Sequence, residues 1–416
     1  MASSMNLTRR SAIAGLSSGA TFLAAGGGMR VSLAATSAVD TDILVVLFMR
    51  GGQDGLQLVA PAGDANYIRA RPSIRVQSSG AQAGLGVGTL SGVDMYLHPN
   101  LPDIKKLYDS GSLAIVQAVG IPTIDRSHFV CQDLMERGMG DNDTHQSLGW
   151  LARHTPSLVA PRAPLSTISS GTNMPLAISG VSTAVAISDV AYFKVNIDDG
   201  LHSRHVRALN MGDDKYQAAV RNMVDTTDAV QDGLRALKAS EDIDYGYSAF
   251  GDSLKSLATM IKMDIGVDTA TVDMSSWDHH TILANAFGFI ATDFSRALGG
   301  FWKDLEKYQK RLTIVTMTEF GRRFTENSNR GLDHGAASTM MVLGGSVNGG
   351  KIYGDWPGLG PTELDDDSLR ATTDYRRILS EVIVKRHGEK NPGNIFPTVK
   401  YKPLGLVRGD DSAIKV

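Results

Sequence analysis

The sequence predicts an α/β fold built on a mostly parallel sheet flanked by helices. Three observations support this fold class: short apolar runs typical of buried strands, amphipathic stretches between them, and glycine-rich or polar loops where the runs end. Strand, loop and helix alternating at this spacing indicate parallel strands joined by crossover helices. Of the 416 residues, 42% are hydrophobic and 20% are charged, which provides a sizeable core and excludes a disordered chain.

In the first part of the chain, residues 42–50 and 113–119 are continuous apolar runs that predict strands buried on both faces. A helical period covers residues 101–110, and another helix is expected to begin near residue 127. Residues 160–200 contain short alternations of Ser, Thr, Ala and Val, which indicate small antiparallel strands or an insertion.

The second part of the chain begins with residues 213–240, which predict an exposed helix. We expect residues 160–245 to form a cap inserted into a single domain of residues 42–400, followed by a C-terminal tail of residues 401–416. The parallel architecture then resumes. Its predicted elements are a helix at 253–263, a strand within 265–274, helices within 282–308, and strands at 312–317 and 339–343.

The first 35 residues have the pattern of an export signal. Arg9 and Arg10 precede a weakly apolar Gly/Ala-rich run, and small residues end the segment at residues 32–35. This pattern is typical of a signal peptide, and the arginine pair indicates the twin-arginine type. A buried glycine-rich helix is the alternative, although each glycine weakens a helix by about 1 kcal/mol. We expect the twin-arginine export machinery to recognise the chain, so that the protein is periplasmic or secreted. We also expect no transmembrane span in the mature chain.

Charge and cysteine content exclude two classes of function. The formal net charge is −3, and removing the three arginines of residues 1–35 changes it to −6. This acidic balance argues against nucleic-acid binding, which needs a basic footprint. The single cysteine, Cys131, excludes an intrachain disulfide and any multi-thiolate metal site within one chain. A metal site would therefore use His, Asp and Glu.

Side chains of ligand type follow most of the predicted strands. They are Asp54, Ser127-His128, Asp278-His279-His280, Glu319 and Asp333-His334. Ligands of such sheets bind beyond the carboxyl ends of the strands, and so many carboxylates are unfavourable there without a cation. In an extended segment Asp278 and His280 point the same way and can share one ion. Taken alone, Asp54 also fits a turn, and Asp333-His334 fits a helix-capping turn.

Ser127 directly precedes the helix expected from residue 127 onward. Serine is a favoured N-cap, so a purely structural role fits this position. A helix N-terminus also binds anions, and a serine there can attack a phosphoryl or sulfuryl centre when a metal replaces the usual base. Four arginines beside these loops are candidates to clamp the anion: Arg50, Arg126, Arg322 and Arg323. For Arg322-Arg323 a solvated helix start is the alternative.

Strings from nearly the whole mature chain resemble domain of unknown function family 1501. They are FMRGGQDGLQLVAP, YIRARPSI, LHPNLPDIKKLYDSGSLAIVQAVG, RSHFVCQDLMERG, GWLAR, WDHH, VTMTEFGRR and LDHG. Members of that family are commonly twin-arginine exported, and membership names no substrate. The family is in turn similar to the alkaline phosphatase superfamily of phosphatases, sulfatases, phosphodiesterases and cofactor-independent phosphoglycerate mutases.

The resemblance implies a three-layer α/β/α sandwich with one or two divalent ions (Mg, Mn, Ca or Zn) at the strand ends. By position it implies the metal ligands Asp54, Asp278, His280, Glu319 and His334. It also implies that Ser127 is the nucleophile. Arg126 and His128, which flank Ser127 in the sequence, are further catalytic candidates.

The sequence departs from the superfamily pattern at three places. Asp278 and His280 are spaced by two residues where four are usual, and Glu319-Phe320 stands where Asp-His is usual. The lost imidazole favours a harder ion there, or a single-metal site. Phe129 occupies the proline position of formylglycine sulfatases, which argues against that class.

The leading hypothesis is an exported metal-dependent hydrolase or transferase that uses Ser127 on a phosphate or sulfate ester. The substrate would be a small-molecule, glycan-linked or lipid-linked anionic ester, selected by the cap. The first alternative is a non-catalytic periplasmic binding or assembly protein that retains the fold. A third reading is a Ser-His-Asp hydrolase with His98 or His128 as base, but Ser127 lacks the G-x-S-x-G elbow.

Overall fold

The apolar run of residues 43–49 forms an interior strand of the central sheet. The computed structural model describes residues 41–414 apart from Pro122, Ile124, Asn142, residues 156–164, Ser182, residues 194–200, Asp213 and residues 238–241. The predicted export signal, residues 1–35, lies outside the described residues.

Strands and helices alternate along the chain. The strands are β1 (Ile43–Met49), β2 (Val59–Ala60), β3 (Leu85–Leu90), β4 (Val93–Leu97), β5 (Leu113–Gly120), β6 (Thr167–Ser169), β7 (Val185–Ala186), β8 (Thr269–Met274), β9 (Leu312–Met317), β10 (Ser338–Gly344), β11 (Lys351–Tyr353) and β12 (Thr373–Asp374). The helices are α1 (Gly55–Leu58), α2 (Ala65–Ala70), α3 (Pro102–Asp109), α4 (His128–Arg137), α5 (Trp150–His154), α6 (Leu201–Leu209), α7 (Lys215–Ala236), α8 (Ala249–Lys262), α9 (Leu283–Asp304), α10 (Tyr375–His387) and α11 (Pro392–Ile395). Short 3-10 turns occur at Leu176–Ile178, Val190–Tyr192 and Glu306–Tyr308.

Within the described residues the central sheet has nine strands, most of them parallel. Their order is β11-β5-β10-β9-β1-β8-β6-β7, with β12 beside β5. Strand β1 pairs in parallel with β8 on one side and β9 on the other, and all seven of its residues are buried. Strands β2, β4 and β3 form a separate small antiparallel sheet.

Helices cover both faces of the central sheet. The odd-numbered residues of β1 belong to a core shared with α3, α8 and α9, and its even-numbered residues belong to a second core shared with α4, α5 and α10. This alternation follows from the two-residue period of a strand. The predicted three-layer α/β/α sandwich is confirmed. In the described part of the chain, no helix has the length and apolar character that crossing a membrane requires.

Strand β10 runs against its neighbours. It pairs antiparallel with both β5 and β9, so its first residue, Ser338, lies at the edge where β1 and β9 end. The loop of residues 318–337 therefore starts and finishes at that same edge. Asp333 and His334 reach the strand-end edge because they precede an antiparallel strand, and not because they follow a parallel one.

The segment predicted as a cap contributes to the sheet. The expectation of antiparallel strands is wrong for residues 167–169 and 185–186, since β6 pairs in parallel with both β8 and β7. Helices α6 and α7 follow and contact each other through the ion pairs of Arg207 with Asp225 and Asp228. A lid formed by residues of the 160–245 segment stays a prediction.

Residues predicted as a C-terminal tail pack onto the domain instead. Leu406 and Val407 are buried in the core that contains α10. The buried carboxylate of Glu381 accepts hydrogen bonds from the backbone N–H groups of Leu404, Gly405 and Val407. These contacts extend the domain beyond the predicted end at residue 400.

His98 is a buried histidine in the loop after β4. Its Nδ1 accepts a hydrogen bond from the backbone N–H of Asn100 at 3.2 Å, and its ring packs on Phe287 with centroids 5.2 Å apart. Burial lowers the pKa of His98 to about 4. The imidazole is therefore neutral in the folded chain at neutral pH.

We expect acidification to destabilise the fold through His98. Between about pH 6.5 and 4 the unfolded chain binds a proton at this residue and the folded chain does not, so stability falls as the pH falls. His98→Gln removes the titrating group. Between pH 7.5 and 5.0 the unfolding free energy of this variant should fall by about 2 kcal/mol less than that of the wild type. Urea titrations with a chelator present measure this. The exposed His145→Gln is the control, and equal losses in wild type and His98→Gln would contradict the prediction.

Candidate metal centre

Arg322 connects the loops that meet at the strand-end edge. Its buried guanidinium donates to the carbonyls of Gly51, Gly52 and Leu332 and to Asp278 Oδ1, which lies 2.5 Å from Nη2. These acceptors belong to the loop after β1, the loop before β10 and the loop after β8. Arg322, predicted to clamp a substrate anion, is thus engaged mainly by the protein itself.

Gly51 allows two of these loops to approach closely. Its φ of +116° lies outside the range that side-chain-bearing residues favour, and a Cβ there would lie 2.6 Å from the backbone nitrogen of Asp278. Its N–H donates to Glu319 Oε1 at 2.8 Å. The glycine therefore brings the loops after β1, β8 and β9 into contact.

Three imidazoles and one carboxylate converge at this edge. Donor atoms of His128, Asp278 and His334 all lie within 4.8 Å of one another. His280 Nε2 lies 3.0 Å from both Asp278 Oδ1 and His334 Nε2. Asp278 also lies 3.5 Å from His128 Nε2 and 3.6 Å from His334 Nε2. We call these four residues the ligand group.

Each imidazole of the ligand group is oriented through its Nδ1 atom. The Nδ1 partners are the Glu319 carboxylate for His128 at 2.9 Å, the Arg126 carbonyl for His334 at 2.7 Å, and the Asp333 carboxylate for His280 at 3.1 Å. An acceptor at Nδ1 places the ring proton there and leaves the Nε2 lone pair available, as in histidines that bind metals. The buried Nε2 of His128 has no hydrogen-bond partner among the described residues.

Four donor separations in the ligand group are close to those around a tetrahedral ion. Zn–N bonds of about 2.0–2.1 Å place tetrahedral donors about 3.3–3.4 Å apart. The separations of Asp278 from the three imidazoles and of His280 from His334 run from 3.0 to 3.6 Å, with Asp278 using Oδ2 toward His128 and Oδ1 toward the other two. In this tautomer no proton lies between the Nε2 atoms of His280 and His334, and Arg322 Nη1 lies 3.4 Å from His280 Nε2. A metal cation bound by both imidazoles would remove the remaining repulsion between the lone pairs.

The carboxylates of the site are ionised near neutral pH. Partial burial opposes ionisation of Asp278, but the hydrogen bond and charge of Arg322 outweigh it and hold its pKa below the usual value. Burial likewise opposes ionisation of Glu319, and hydrogen bonds from Gln132 and His128 nevertheless keep its pKa lowered. Burial, aided by the charge of Arg322, lowers the pKa of His334 and favours its neutral, metal-binding form.

Glu319, predicted as a metal ligand, stands behind His128. The residue is 1% exposed. Its Oε1 accepts from Gly51 N–H, from His128 Nδ1 and from Gln132 Nε2, the last at 2.8 Å. The carboxylate contacts Nδ1 of His128, whereas Nε2 of the same ring faces Asp278, so a direct metal-ligand role for Glu319 stays a prediction. His128, predicted as a catalytic residue, belongs to the ligand group.

Asp54, also predicted as a ligand, is not part of the ligand group. The buried guanidinium of Arg71 contacts both of its carboxylate oxygens, at 2.5 and 3.2 Å. Arg71 also donates to the carbonyls of Phe324 and Arg323. This bidentate pair neutralises Asp54 and links the loop after β1 to the loop after β9.

Two other predicted arginines are held by carboxylates. Arg50 pairs with Glu136 and Asp273, each at 2.7 Å. Arg323 is 40% exposed and lies 3.3 Å from Asp366. The structure does not bring either guanidinium into contact with the ligand group.

Ser127 and Arg126 lie directly beside the ligand group along the chain. Ser127 occupies the N-cap of α4, yet its hydroxyl makes no capping hydrogen bond. The side chain is therefore not committed to the structural role that the sequence also allowed. Arg126 contributes its carbonyl to His334, and its guanidinium donates to Ser368 Oγ at 2.8 Å.

Sequence reasoning missed two residues of the site's supporting network. Gln132 follows His128 by four positions on α4, so helical spacing places both side chains on one face and could have identified it. No local sequence pattern could have identified Arg71. This residue directly follows α2, and its contact with Asp54 depends on where the tertiary structure places the end of that helix. The sequence places Asp333 beside His334 but gives no sign that the Asp333 carboxylate contacts His280.

A family model described as "Protein of unknown function (DUF1501)" matches residues 114–376, more than half of the chain. The chain belongs to this family. The part matched by the DUF1501 model contains all four residues of the ligand group as well as Ser127 and Glu319. No curated relative matches the DUF1501 chain in sequence.

Several solved structures resemble the DUF1501 chain at low identity. The PsFucS1 sulfatase from Pseudoalteromonas sp. is 9% identical, with a TM-score of 0.39, and the match covers 90% of this chain and 71% of that one. The alkaline phosphatase from the Antarctic bacterium TAB5 is 10% identical, with a TM-score of 0.30, and the match covers 75% of this chain and 95% of that one. The lipoteichoic acid synthase LtaP from Listeria monocytogenes is 9% identical, with a TM-score of 0.31, and the match covers 80% of this chain and 74% of that one. At such TM-scores these similarities assign neither an activity nor a substrate.

We expect the DUF1501 chain to bind one Zn²⁺ ion at the ligand group. Asp278→Ala and His334→Ala each remove one donor and should weaken zinc binding at least ~100-fold. Calorimetric titration of chelator-treated protein, with elemental analysis, measures affinity and stoichiometry. Arg323→Ala is the matched control near the site and should bind zinc normally. Absence of zinc binding in wild type, or unchanged affinity in both ligand variants, would contradict this.

The support of His128 by Glu319 makes a separate prediction. Glu319→Gln keeps the size of the side chain but removes the charge that orients and polarises the imidazole. Zinc affinity should fall by about 10- to 100-fold, the usual cost of losing such a partner. The same titration applies, with Glu326→Gln as the control, since that carboxylate pairs with Ser73 and not with the ligand group. Zinc affinity equal to wild type in Glu319→Gln would show that the carboxylate has no such role.

Proposed function

We propose that the chain is an exported, metal-dependent hydrolase or transferase that acts on a phosphate or sulfate ester. One observation carries the proposal: three imidazoles, each with Nδ1 held by an acceptor, direct Nε2 toward Asp278 at 3.0 to 3.6 Å. A purely structural cluster of histidines gains nothing from Nε2 lone pairs that face each other, as those of His280 and His334 do. A divalent cation gives this arrangement a physical reason.

The donor chemistry supports zinc over harder ions. Three nitrogen donors and one carboxylate suit Zn²⁺, whereas Mg²⁺ and Ca²⁺ prefer mostly oxygen donors. The sequence predicted a harder ion because Glu319 stands where the superfamily has an imidazole. In the structure His128 adds an imidazole to the ligand group, so that reason for a harder ion no longer applies. Bound at the ligand group, a zinc ion would supply Lewis-acid stabilisation of the charge that develops on ester oxygens.

The nucleophile that we propose is the Ser127 hydroxyl. Ser127 precedes the ligand His128 by one residue and lies at the N-terminus of α4, where the first backbone N–H groups lack intrahelical acceptors. Those N–H groups and the positive end of the helix favour an anionic group such as phosphate or sulfate. The hydroxyl oxygen would attack the phosphorus or sulfur atom in line while the bond from that atom to the ester oxygen breaks on the opposite side, and the alcohol would leave with the proton that the hydroxyl gives up. Water in a hydrolase, or a second alcohol in a transferase, would then take the phosphoryl or sulfuryl group from Ser127 and restore the hydroxyl. The helix N-terminus would hold the non-bridging oxygens in both steps.

Export through the twin-arginine route is part of the same proposal. It rests on Arg9, Arg10 and the Gly/Ala-rich run that follows. In the periplasm or outside the cell, substrates would be anionic esters of small molecules, glycans or lipids.

One observation favours a second candidate function, a non-catalytic binding or assembly protein. The Arg322 guanidinium already pairs with Asp278 Oδ1 at 2.5 Å and so offsets the charge that would attract a cation. In this alternative the ion pair replaces the metal and the fold serves recognition alone. Metal content of natively exported protein separates the two candidates.

Ser127→Ala should abolish turnover without removing the metal. The assay uses purified chain with Zn²⁺, Mn²⁺ or Mg²⁺ on a panel of phosphate monoesters, phosphate diesters and sulfate esters. Loss of the nucleophile should lower kcat at least ~10³-fold, whereas zinc content should equal that of wild type. The exposed Ser147→Ala is the control. No turnover of any ester by wild type, or undiminished turnover by Ser127→Ala, would refute the proposal.

A further inference from the structure

A wide groove lies along the outer face of the first half of α9. Its volume is about 840 Å³. One wall is the helix face that runs from Ala284 to Arg296, and the facing walls are residues 73–77, residues 98–100 and the Gly246-Tyr247 turn. At 1.5 Å per residue the helical wall is about 18 Å long. The groove therefore suits an elongated ligand of several units.

Two aromatic side chains are exposed at this groove. Phe289 is 79% exposed and Tyr247 is 97% exposed. Large exposed aromatic rings cost hydration free energy and commonly mark binding surfaces. Small residues, Ala284 and Gly288, alternate with Phe289 on the helix face and leave space beside its ring.

Polar groups complete the lining. His98 is 7% exposed and uses Nδ1 as an acceptor for Asn100 N–H, so its ring proton resides on Nε2, for which no described residue is an acceptor. Gln77 and Asn285 add exposed amides. A ring donor without a protein partner among the described residues, beside amides and aromatic faces, points to a ligand rich in hydroxyl groups.

The charges at the groove nearly cancel. Arg296 pairs with Asp244 at 2.7 Å, and its guanidinium lies 5.9 Å from the centre of the Tyr247 ring. Among the described lining residues, the negative charge of Asp293 offsets the positive charge of Arg75. This balance disfavours nucleic acid, and none of the described lining residues belongs to a strand whose edge an extended peptide could extend.

The groove adjoins the ligand group through α9. Ala284 follows His280 by four residues, so their Cα atoms lie at most about 15 Å apart. Phe287 contacts the rings of both His279 and His98. One end of the helical wall of the groove therefore lies within about 15 Å of a member of the ligand group, measured between Cα atoms.

We propose that this groove binds an oligosaccharide, with Tyr247 and Phe289 stacking on sugar rings and His98 and the amides pairing with hydroxyl groups. The binding itself stands independently of catalysis. The further step, presentation of a glycan-linked ester to the metal centre, rests on the proposed function. It narrows the substrate class from anionic esters in general to esters on glycans.

The test uses the full chain on an array of neutral and sulfated tetra- to hexasaccharides, followed by calorimetry with the strongest hexasaccharide. We expect saturable binding that Tyr247→Ala and Phe289→Ala each weaken at least tenfold. Tyr192→Ala removes an exposed aromatic residue outside the groove and should bind as wild type does. Circular dichroism verifies that the variants fold.

Three outcomes would overturn the inference: no oligosaccharide bound, equal binding by wild type and both groove variants, or equal weakening in Tyr192→Ala. A protein fragment or nucleic acid bound in place of every oligosaccharide would also overturn it. Oligosaccharide binding by a chain that hydrolyses no ester supports the groove and rejects the proposed activity. Ester turnover without oligosaccharide binding rejects the groove alone.

Discussion

The buried guanidinium of Arg322 is the constraint on which the site depends. A guanidinium carries five N–H donors and a permanent charge, so burial is tolerable only where acceptors surround it. Gly51, Gly52 and Leu332 provide carbonyls, and Asp278 provides the countercharge. Because these acceptors come from different loops, satisfying one side chain fixes the loops relative to one another. The ligand group is therefore positioned by a residue, Arg322, that is not itself a member of it.

Carboxylates with similar positions in the sequence have different roles because they face different partners. Asp278 is partly exposed and belongs to the ligand group, whereas Glu319 is buried and orients His128. Asp54 is neutralised by Arg71. Dividing the acids in this way avoids repulsion in one pocket, since each negative charge has its own compensating donor. The ligand group that results contains three imidazoles and one carboxylate.

Helix α9 begins three residues after His280 and connects the loop of that ligand-group residue to the groove. Its inner side packs in the core with α3 and α8, and its outer side lines the groove. Phe287 contacts both His98 and His279. The groove is thus built on a helix that the core holds in place and that starts beside the ligand group.

The sequence by itself determined the layered α/β architecture, because strands buried on both faces leave an apolar run that is visible locally. It also predicted that Asp278, His280 and His334 lie together at one edge of the sheet, because polar residues that border such runs lie where strands end. Only the tertiary structure decided that β10 runs antiparallel, that the Glu319 carboxylate contacts Nδ1 of His128, and that Arg71 pairs with Asp54. These outcomes depend on which groups meet across long stretches of chain. Desolvation and charge pairing act on spatial neighbours, and the order of residues does not record them.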